Sequence, residues 1–183
     1  MTLGGWVNIR TLLPVTQAGV KIRPLTHSDA AAYANGSHDT DVRRFAHLPE
    51  PHYTPALVSE QIDSIITPGL IAGNLAVLAI ADNSSDQFLG SVVLFDIADN
   101  RAEIGFWLAA AARGRGAAHQ AVECVAELGT RMGLRELHAR TVNDNTTSVR
   151  TLTNADFAPH GNAEIGTAPS GEQALLQHYT RSL

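Results

Sequence analysis

A glycine-containing segment between a predicted strand and a predicted helix has the residue types of an anion-binding site. The segment runs Arg113-Gly114-Arg115-Gly116-Ala117-Ala118 and follows the mostly apolar run from Glu103 to Leu108. Its glycines allow a sharp turn in which successive backbone N–H groups face outward with no side chain in the way. The helix N-terminus adds unpaired donors and a partial positive charge, and Arg113 and Arg115 add charge-assisted hydrogen bonds. The segment therefore suits a pyrophosphate.

Two other interpretations of this loop are possible. A dinucleotide-binding turn requires Gly-x-Gly-x-x-Gly and an acidic residue about 20 positions on, at the end of the next strand. Here His119 replaces the third glycine, and Glu136 lies at the beginning of the next predicted strand. A purely structural turn that feeds an amphipathic helix would need no ligand, and a glycine pair alone does not exclude it. Taken by itself, the loop leaves all three interpretations open.

A second segment and the beginning of the chain add further motifs. Asn143 to Leu152 reads Asn-Asp-Asn-Thr-Thr-Ser-Val-Arg-Thr-Leu and closes on Phe157, and Ile22-Arg23-Pro24-Leu25 precedes Ser28-Asp29-Ala30. With Arg113-x-x-Gly116-x-Ala118 between them, these motifs stand in the order and spacing of a known family. The chain resembles the GNAT superfamily of N-acyltransferases, and within it the RimJ/RimL-type branch that acetylates the N-termini of ribosomal proteins.

The resemblance covers about residues 20 to 181 and shows two departures. Asp156 stands where the family usually has glycine, at the end of a helix. Because aspartate tolerates a left-handed backbone better than most residues, we expect a changed helix cap there. Four alanines, residues 109–112, occupy the approach to the glycine loop, where bulkier residues are common. Neither departure touches the predicted chemistry.

The resemblance implies direct transfer of an acyl group from a CoA thioester, most simply acetyl-CoA, to a primary amine in a ternary complex. The pyrophosphate would lie on the glycine loop, and the pantetheine arm would pair with the strand backbone. A strand N–H near Phe106 or Trp107 would stabilise the tetrahedral oxyanion. The implied cofactor-binding residues are Phe106, Trp107, Leu108, Arg113, Gly114, Arg115, Gly116, Ala117, Ala118, Asn143 and Asn145.

Two residues are candidates for catalysis. The amine must be neutral to attack, and a protein N-terminal amine, with a pKa near ~8, needs less help than a lysine near ~10.4. Glu103, on the strand before the loop, is the candidate base, and an ion pair on a solvated face is its alternative. Ser148 is placed like the family residue that hydrogen-bonds the leaving sulfur, and a simple helix cap is its alternative.

The acceptor side carries no specific code. Phe45, His47 and Tyr53 lie in a proline-rich segment that, with the first helices and the final hairpin, is predicted to line the substrate pocket. We predict no metal, because His47 and His52 lack a third ligand and Cys124 is the only cysteine. The acceptor is predicted to be a protein N-terminus or a small amine. An antibiotic-type acetyltransferase and a catalytically silent CoA-binding module remain alternatives.

Composition excludes several other classes. The net charge of −5 and pI near 5.8 offer no positive field for nucleic acid. The longest apolar run, Ile104 to Ala112, is shorter than the roughly 18 residues that span a membrane. The only lysine, Lys21, is followed by Ile22, so the chain has no phosphate-binding P-loop lysine. We expect a cytoplasmic monomer or homodimer.

The periodicity predicts one mixed α/β domain over residues 1–183, with a leading segment over 1–19 that holds a short strand around Val7 to Leu13. The resemblance makes this a GNAT fold, a twisted and mostly antiparallel sheet of about six to seven strands with helices on both faces, splayed at the acyl-CoA site. Further strands are predicted at Val20–Leu25, Leu75–Ala81, Phe88–Phe95, Arg101–Ala109, Arg135–Val142 and Ala174–Thr180. Helices are predicted at Asp29–Ala34, around Leu57–Ile66, and at Gly116–Met132 and Thr146–Asn154.

Overall fold

The computed structural model describes residues 7–46, 48–167 and 173–183. The strands in these ranges are β1 (Val15–Gln17), β2 (Val20–Pro24), β3 (Ala76–Asp82), β4 (Phe88–Ala98), β5 (Arg101–Leu108), β6 (Glu136–Val142), β7 (Ala158–Thr167) and β8 (Gln173–Ser182). The helices are α1 (Ala30–Ser37), α2 (Thr40–Phe45), α3 (Pro55–Gln61), α4 (Thr67–Ala72), α5 (Ala117–Met132) and α6 (Thr146–Asn154).

The strands form one sheet in the order β1-β2-β3-β4-β5-β6-β8-β7. Every neighbouring pair is antiparallel except β5 and β6, which are parallel. The predicted mixed α/β class with a mostly antiparallel sheet is therefore confirmed. The sheet has eight strands instead of the six to seven expected, and β7 is the strand that was not predicted. Its sequence contains a proline and two glycines and lacks an alternating apolar pattern, since β7 is an exposed edge strand.

The parallel pair separates soon after it forms. Register runs only from Arg101 beside Glu136 to Glu103 beside His138. Beyond that point β5 continues to Leu108 paired with β4, while β6 continues paired with β8. The two strands thus diverge and leave a V-shaped opening in the middle of the sheet. This is the splay that the resemblance implied.

Helices cover both faces of the sheet. A Cβ placed on Gly129 of α5 would lie 3.5 Å from the Leu137 side chain, and Leu137 pairs in register with Ala102 of β5. A Cβ on Gly36 of α1 would lie 2.5 Å from the Trp107 ring. Because side chains alternate along a strand, Ala102 and Trp107 point to opposite faces. Helix α5 therefore lies on one face and α1 on the other.

The predicted helix ends follow the residues expected to make them. Gly133 ends α5 in the left-handed conformation with φ +80°. Asp156, in the position where a glycine is usual, adopts φ +58°, which confirms the expected cap change. No helix within the described ranges is both long enough and apolar enough to cross a bilayer.

The prediction for the leading segment was wrong in position. Residues Ile9–Leu12 form a 3₁₀ turn, and the extra strand is β1, which begins after Pro14. Apolar residues around Ile9 suggested a strand, but the Asn8 side chain accepts a hydrogen bond from the Arg10 N–H and starts a turn instead. Ile9 still packs into the core, with no exposed surface.

Candidate functional site

The loop before α5 presents a set of unpaired backbone donors. Arg113 N–H donates to the Ala110 carbonyl at 3.3 Å, and Gln120 N–H donates to the Gly116 carbonyl at 3.1 Å. Between them, the N–H groups of residues 114–119 have no partner in the part of the chain that the structure describes. Successive N–H groups in such a turn, at the start of a helix, form an anion-binding concavity.

Two glycines shape this concavity. Gly114 and Gly116 both have φ +77°, a left-handed conformation that disfavours other residues. A Cβ on Gly114 would meet nothing within 4 Å, and one on Gly116 would meet only the Gln120 side chain, at 3.9 Å. The space above the donors is open. Arg115 is exposed and makes no ion pair with any described residue, so its charge remains available.

The Arg113 side chain does not reach this space. Its guanidinium donates to Asp39 at 2.5 Å and to Asp41 at 3.1 Å, and it also bonds the Leu108 carbonyl at 3.2 Å and 3.1 Å. Burial acts to raise the pKa of Asp39, but the hydrogen bonds from Arg113 and from backbone N–H groups outweigh it and lower that pKa. Of the two arginines predicted to contact phosphate through their side chains, only Arg115 is free to do so. Arg113 instead ties the loop to α2.

Strand β5 presents unpaired backbone groups to the splay. The Ala109 N–H donates to β4 at 2.8 Å. In an antiparallel ladder every second residue bonds the same neighbour, so Trp107 also bonds β4, whereas Phe106 and Leu108 direct their backbone groups to the opposite edge. Since the Leu108 carbonyl is held by Arg113, the edge retains the N–H and C=O of Phe106 and the N–H of Leu108. Of the two N–H groups predicted as the oxyanion donor, that of Trp107 is bonded to β4, so Phe106 is the remaining candidate.

A cavity of about 640 Å³ lies at the splay. It is lined from both strands that border the splay, by Gly105 of β5 and by Arg140 of β6 among others. The predicted site residues along its wall are Phe45, Tyr53, Glu103, Phe106, Trp107, Asn145 and Ser148. Leu108, Asn143 and the loop of residues 113–118 lie outside its wall.

Glu103 lies at the narrow end of the splay and forms an ion pair. Its side chain is 18% exposed, and its Oε1 accepts a hydrogen bond from the Arg140 Nε at 2.7 Å. Arg140 also lines the cavity. The ion pair that was the alternative for Glu103 therefore exists, and Glu103 also lines the cavity.

Asn145, rather than Ser148, is the cap of α6. The Asn145 Oδ1 accepts a hydrogen bond from the Ser148 backbone N–H at 3.1 Å. The Ser148 hydroxyl makes no hydrogen bond to any described residue and lines the cavity from the first turn of the helix. Asn143 lies in an exposed turn before the helix. The geometry leaves Ser148 free to donate a hydrogen bond to a group in the cavity.

Aromatic side chains form the wall on the α1 face. The Trp107 ring lies 5.2 Å from the Tyr33 ring in an edge-on contact, and the Tyr33 ring lies 5.4 Å from that of Tyr53. Burial raises the pKa of both tyrosines, so both are neutral at ordinary pH. Phe45 closes the same wall from the end of α2, whereas His47 lies outside the described residues.

Sequence reasoning missed several wall residues. Arg140 could have been found, because it follows His138 by two positions on the strand parallel to β5 and so shares a face with Glu103. Tyr33 and Glu50 had no signal, since only tertiary packing brings α1 and the segment after α2 to the cavity. Cys124 is buried in α5, and burial raises the pKa of its thiol to about 11. The described residues contain no group of three or more His, Cys, Asp or Glu side chains placed to hold a metal ion.

A protein-family model matches most of this chain. Residues 20–158 match the family model of the acetyltransferase (GNAT) domain. No curated protein sequence matches this chain significantly.

Solved structures share the fold at low sequence identity. A RimL ribosomal L7/L12 α-N-protein acetyltransferase in complex with coenzyme A has a TM-score of 0.82 at 15% identity, over 93% of this chain and 98% of that one. A ribosomal-protein-S5-alanine acetyltransferase from Vibrio fischeri has 0.80 at 15% identity, over 93% and 96%. The Microcin C7 self-immunity acetyltransferase MccE in complex with acetyl-CoA and AMP has 0.78 at 17% identity, over 91% and 94%. The fold expected from the motifs is confirmed.

Proposed function

The chain belongs to the GNAT family of acetyltransferases, and on that premise we propose that it transfers the acetyl group of acetyl-CoA to a primary amine. One arrangement carries the proposal. An open set of backbone donors, a free strand edge, and a cavity lined by Glu103 and Ser148 follow one another along β5 and the loop after it. These three parts match, in order, the diphosphate, the pantetheine arm and the thioester of acetyl-CoA.

The diphosphate would lie on the N–H groups of residues 114–119, with Arg115 beside it. Backbone donors at a helix N-terminus favour an anion through both hydrogen bonding and the helix dipole. The pantetheine amides would pair with Phe106 as an added strand in the splay. Such pairing fixes the thioester next to Glu103, Ser148 and the acceptor.

The chemical step requires a neutral amine. In our proposal the second carboxylate oxygen of Glu103 accepts a proton from the incoming ammonium, directly or through water, while Arg140 holds the first oxygen. The amine lone pair then forms a bond to the thioester carbonyl carbon. The Phe106 N–H stabilises the negative charge that develops on the carbonyl oxygen.

Collapse of the tetrahedral intermediate completes the transfer. Glu103 releases the first proton to solvent. The C–S bond breaks, its electron pair stays on sulfur, and the extra proton that remains on the nitrogen passes through water to that sulfur. The Ser148 hydroxyl donates a hydrogen bond to the departing thiolate, which leaves as CoA. The products are an N-acetylated amine and free CoA, with no acyl-enzyme.

The acceptor belongs to one of two groups that the related structures suggest. Two of the similar structures are named as acetyltransferases of ribosomal proteins, which favours a protein N-terminus. The third is named as a microcin self-immunity acetyltransferase, which favours a small molecule. Both groups supply a primary amine.

The proposal is tested with purified protein, acetyl-CoA and a panel of amines and N-terminal peptides. Release of free thiol is measured together with the mass of each acceptor. We expect thiol release that depends on the acceptor, with a mass gain of one acetyl group. Tight acetyl-CoA binding with no acetylation of any acceptor would contradict the proposal.

The Glu103–Arg140 ion pair favours one alternative, a CoA-binding module without turnover. A carboxylate committed to an arginine has one oxygen fewer for proton transfer. The same assay separates the two functions, because the module binds acetyl-CoA without acceptor-dependent thiol release.

A further inference from the structure

We call the acceptor half the part of the cavity lined by residues of β3, β4, the end of α2 and the segments around α3, and most of its side chains are apolar. Its residues are Phe45, Leu48, Glu50, Gln61, Ile65, Ile66, Val77, Ser91, Val93 and Phe95, with Glu103 at its end. We propose that the acceptor is a monoamine whose amino group is attached to an aromatic or branched aliphatic body, and that polycationic amines are excluded. This inference rests on the proposed function and specifies its substrate class.

The floor of the acceptor half is an apolar row of the sheet. Val77 pairs with Val93 in register, and Val93 pairs with Gly105. Phe95 extends this floor one step beyond, opposite Glu103. These residues share one face of the sheet because they lie directly opposite one another. The floor offers hydrophobic contact up to the position of Glu103.

The opposite wall is apolar as well. Phe45 and Leu48 line it from the end of α2 and the segment that follows, and Ile65 and Ile66 line it from the π-helical segment after α3. Ile66 is buried, whereas Ile65 keeps 52% of its surface exposed at the mouth of the cavity. An exposed isoleucine at a cavity mouth loses water contact when an apolar ligand covers it.

Polar groups in the acceptor half are mostly paired with one another. The Ser91 hydroxyl donates to the Leu78 carbonyl at 2.9 Å. The Gln61 amide donates to a Glu50 carboxylate oxygen at 3.3 Å. Apart from the second oxygens of Glu50 and Glu103, the described wall offers no free carboxylate acceptor. These oxygens suffice for one ammonium group and its proton.

A polycation would be poorly accommodated by this wall. Each additional ammonium group taken from water without a paired acceptor loses its hydration and gains no hydrogen bond in return, which is unfavourable. An apolar body instead gains binding free energy with each CH₂ group that it buries. A cavity wall of this kind therefore favours an acceptor that has one amino group and an apolar body. The apolar body can belong to a free small molecule or to the first residue of a polypeptide.

The experiment compares three sets of acceptors with the intact chain and acetyl-CoA. The first set is 2-phenylethylamine and tryptamine, and the second is spermidine and kanamycin. The third is a pair of tripeptide amides beginning with Phe or Asp. We expect kcat/KM for the apolar amines or the Phe peptide to exceed that of the polycations by about 100-fold or more, which corresponds to ~2.7 kcal/mol. Whichever of the free amines and the Phe peptide has the higher kcat/KM shows whether the acceptor is a small molecule or a polypeptide N-terminus.

Two isoleucines provide a matched pair of variants. Ile65 is 52% exposed and lines the cavity, and Ile71 is 50% exposed and does not. We expect Ile65→Ser to raise KM for the apolar acceptor about 5- to 10-fold, as loss of one to two methylene contacts would. Neither kcat nor the acetyl-CoA affinity should change. Ile71→Ser should leave all three values as in the wild type.

The outcomes separate this inference from the proposed function. Acetylation of the polycations at an efficiency equal to or above that of the apolar amines overturns the inference and leaves the proposed function standing. Equal KM values for Ile65→Ser and Ile71→Ser overturn it as well. Absence of thiol release with every acceptor overturns the proposed function, and this inference with it.

Discussion

Glu103 forms an ion pair and is also the proposed catalytic base. Its Oε1 is committed to Arg140 at 2.7 Å, yet its carboxylate borders the same cavity as Ser148. An ion pair of this kind can hold the carboxylate in a single orientation, which is what a positioned base requires. The ion pair is therefore compatible with a role of Glu103 as base, and an activity measurement tests that role.

Replacing this carboxylate by an amide tests the base role. We expect Glu103→Gln to lower turnover about 10²-fold or more, because a positioned base typically contributes 10²–10⁴-fold. Activity should then rise more steeply with pH, since only amine that is already neutral reacts. The measurement is kcat against pH, together with the acetyl-CoA Kd, which should not change.

Glu136 provides the control for this variant. It is an exposed glutamate at the start of β6, paired with His138, and it does not line the cavity. Glu136→Gln should keep full activity. Wild-type turnover of Glu103→Gln at neutral pH would remove Glu103 from the base role.

Single residues could be predicted where their role is local. Gly116 acts within a few residues of itself, as a turn at the start of α5, so motif and spacing were sufficient. The partner of Arg113 could not be predicted, because Asp39 and Asp41 precede it by 74 and 72 residues. From the sequence alone, an arginine next to a glycine-rich loop is predicted to bind phosphate. In the folded chain, Arg113 is instead paired with these two carboxylates.

At the scale of elements, the fit of α1 on the sheet depends on one missing side chain. Gly36 lies in the last turn of α1, directly over Trp107, where a Cβ would lie 2.5 Å from a ring carbon. The sequence predicted that this helix ends near Gly36, since glycine is a poor helix former. Close packing against the indole explains why the helix continues through it.

We expect Gly36→Ala to destabilise the protein despite the better helix propensity of alanine. Alanine gains about 1 kcal/mol over glycine in a helix, but an overpacked methyl against a rigid ring costs about 1–3 kcal/mol and the contact here is severe. A net loss of about 2 kcal/mol lowers Tm by about 4–8 °C for a chain of this size. Thermal unfolding followed by circular dichroism measures it.

Asn35 supplies the comparison, because it is the exposed neighbour of Gly36 in the same turn. Asn35→Ala should keep or slightly raise Tm. A Gly36→Ala variant as stable as Asn35→Ala would show that α1 does not pack against Trp107 as described.

Elements with strong periodicity could be predicted and the edges of the sheet could not. Strands β3, β4 and β5 are apolar runs bounded by turn residues, and α5 repeats its apolar positions every three or four residues. The exposed edge strand β7 carries almost no buried residue, so no pattern marked it. The splay itself depends on how far β6 stays beside β5, which no local pattern records.

At the scale of the whole molecule, a buried ion pair joins the sheet to the first helices. Asp29 accepts hydrogen bonds from Arg23 at 2.7 Å and 3.0 Å, and both side chains are largely buried. Burial acts to raise the pKa of Asp29, but the bonds from Arg23 and Thr26 outweigh it and lower that pKa. A carboxylate with a lowered folded pKa stabilises the fold above its unfolded pKa of about 3.9, and this contribution is lost as the pH falls through the folded pKa.

Asp29→Asn should therefore reduce stability by a nearly constant amount above about pH 5, near 3 kcal/mol as for a buried pair that loses one partner. The difference from the wild type should shrink below about pH 4, because the carboxylate of the unfolded wild type takes up a proton there, and it should be lost once the pH has fallen through the lowered pKa of the folded state. Urea unfolding at a series of pH values gives both quantities. A difference that stays constant down to pH 2 would contradict a lowered pKa.

The whole molecule places a loop of unpaired backbone donors, a free strand edge and a cavity along β5 and the loop after it. This order results from the pairing of β5, which is bonded to β4 up to Leu108 but to β6 only as far as Glu103. Within this arrangement the loop of residues 114–119 is the part on which every other role depends. If acetyl-CoA does not bind there, neither Glu103 nor Ser148 faces a thioester.

Calorimetric titration of acetyl-CoA into two matched glycine variants tests this most directly. Gly116 and Gly133 lie at opposite ends of α5 with φ +77° and +80°, so an aspartate strains the backbone equally at both positions. We predict that Gly116→Asp weakens acetyl-CoA binding about 100-fold or more, since losing hydrogen bonds to a charged group costs about 1.5–3 kcal/mol before repulsion is added. Gly133→Asp should bind like the wild type. Unchanged affinity in Gly116→Asp would contradict the account at its centre.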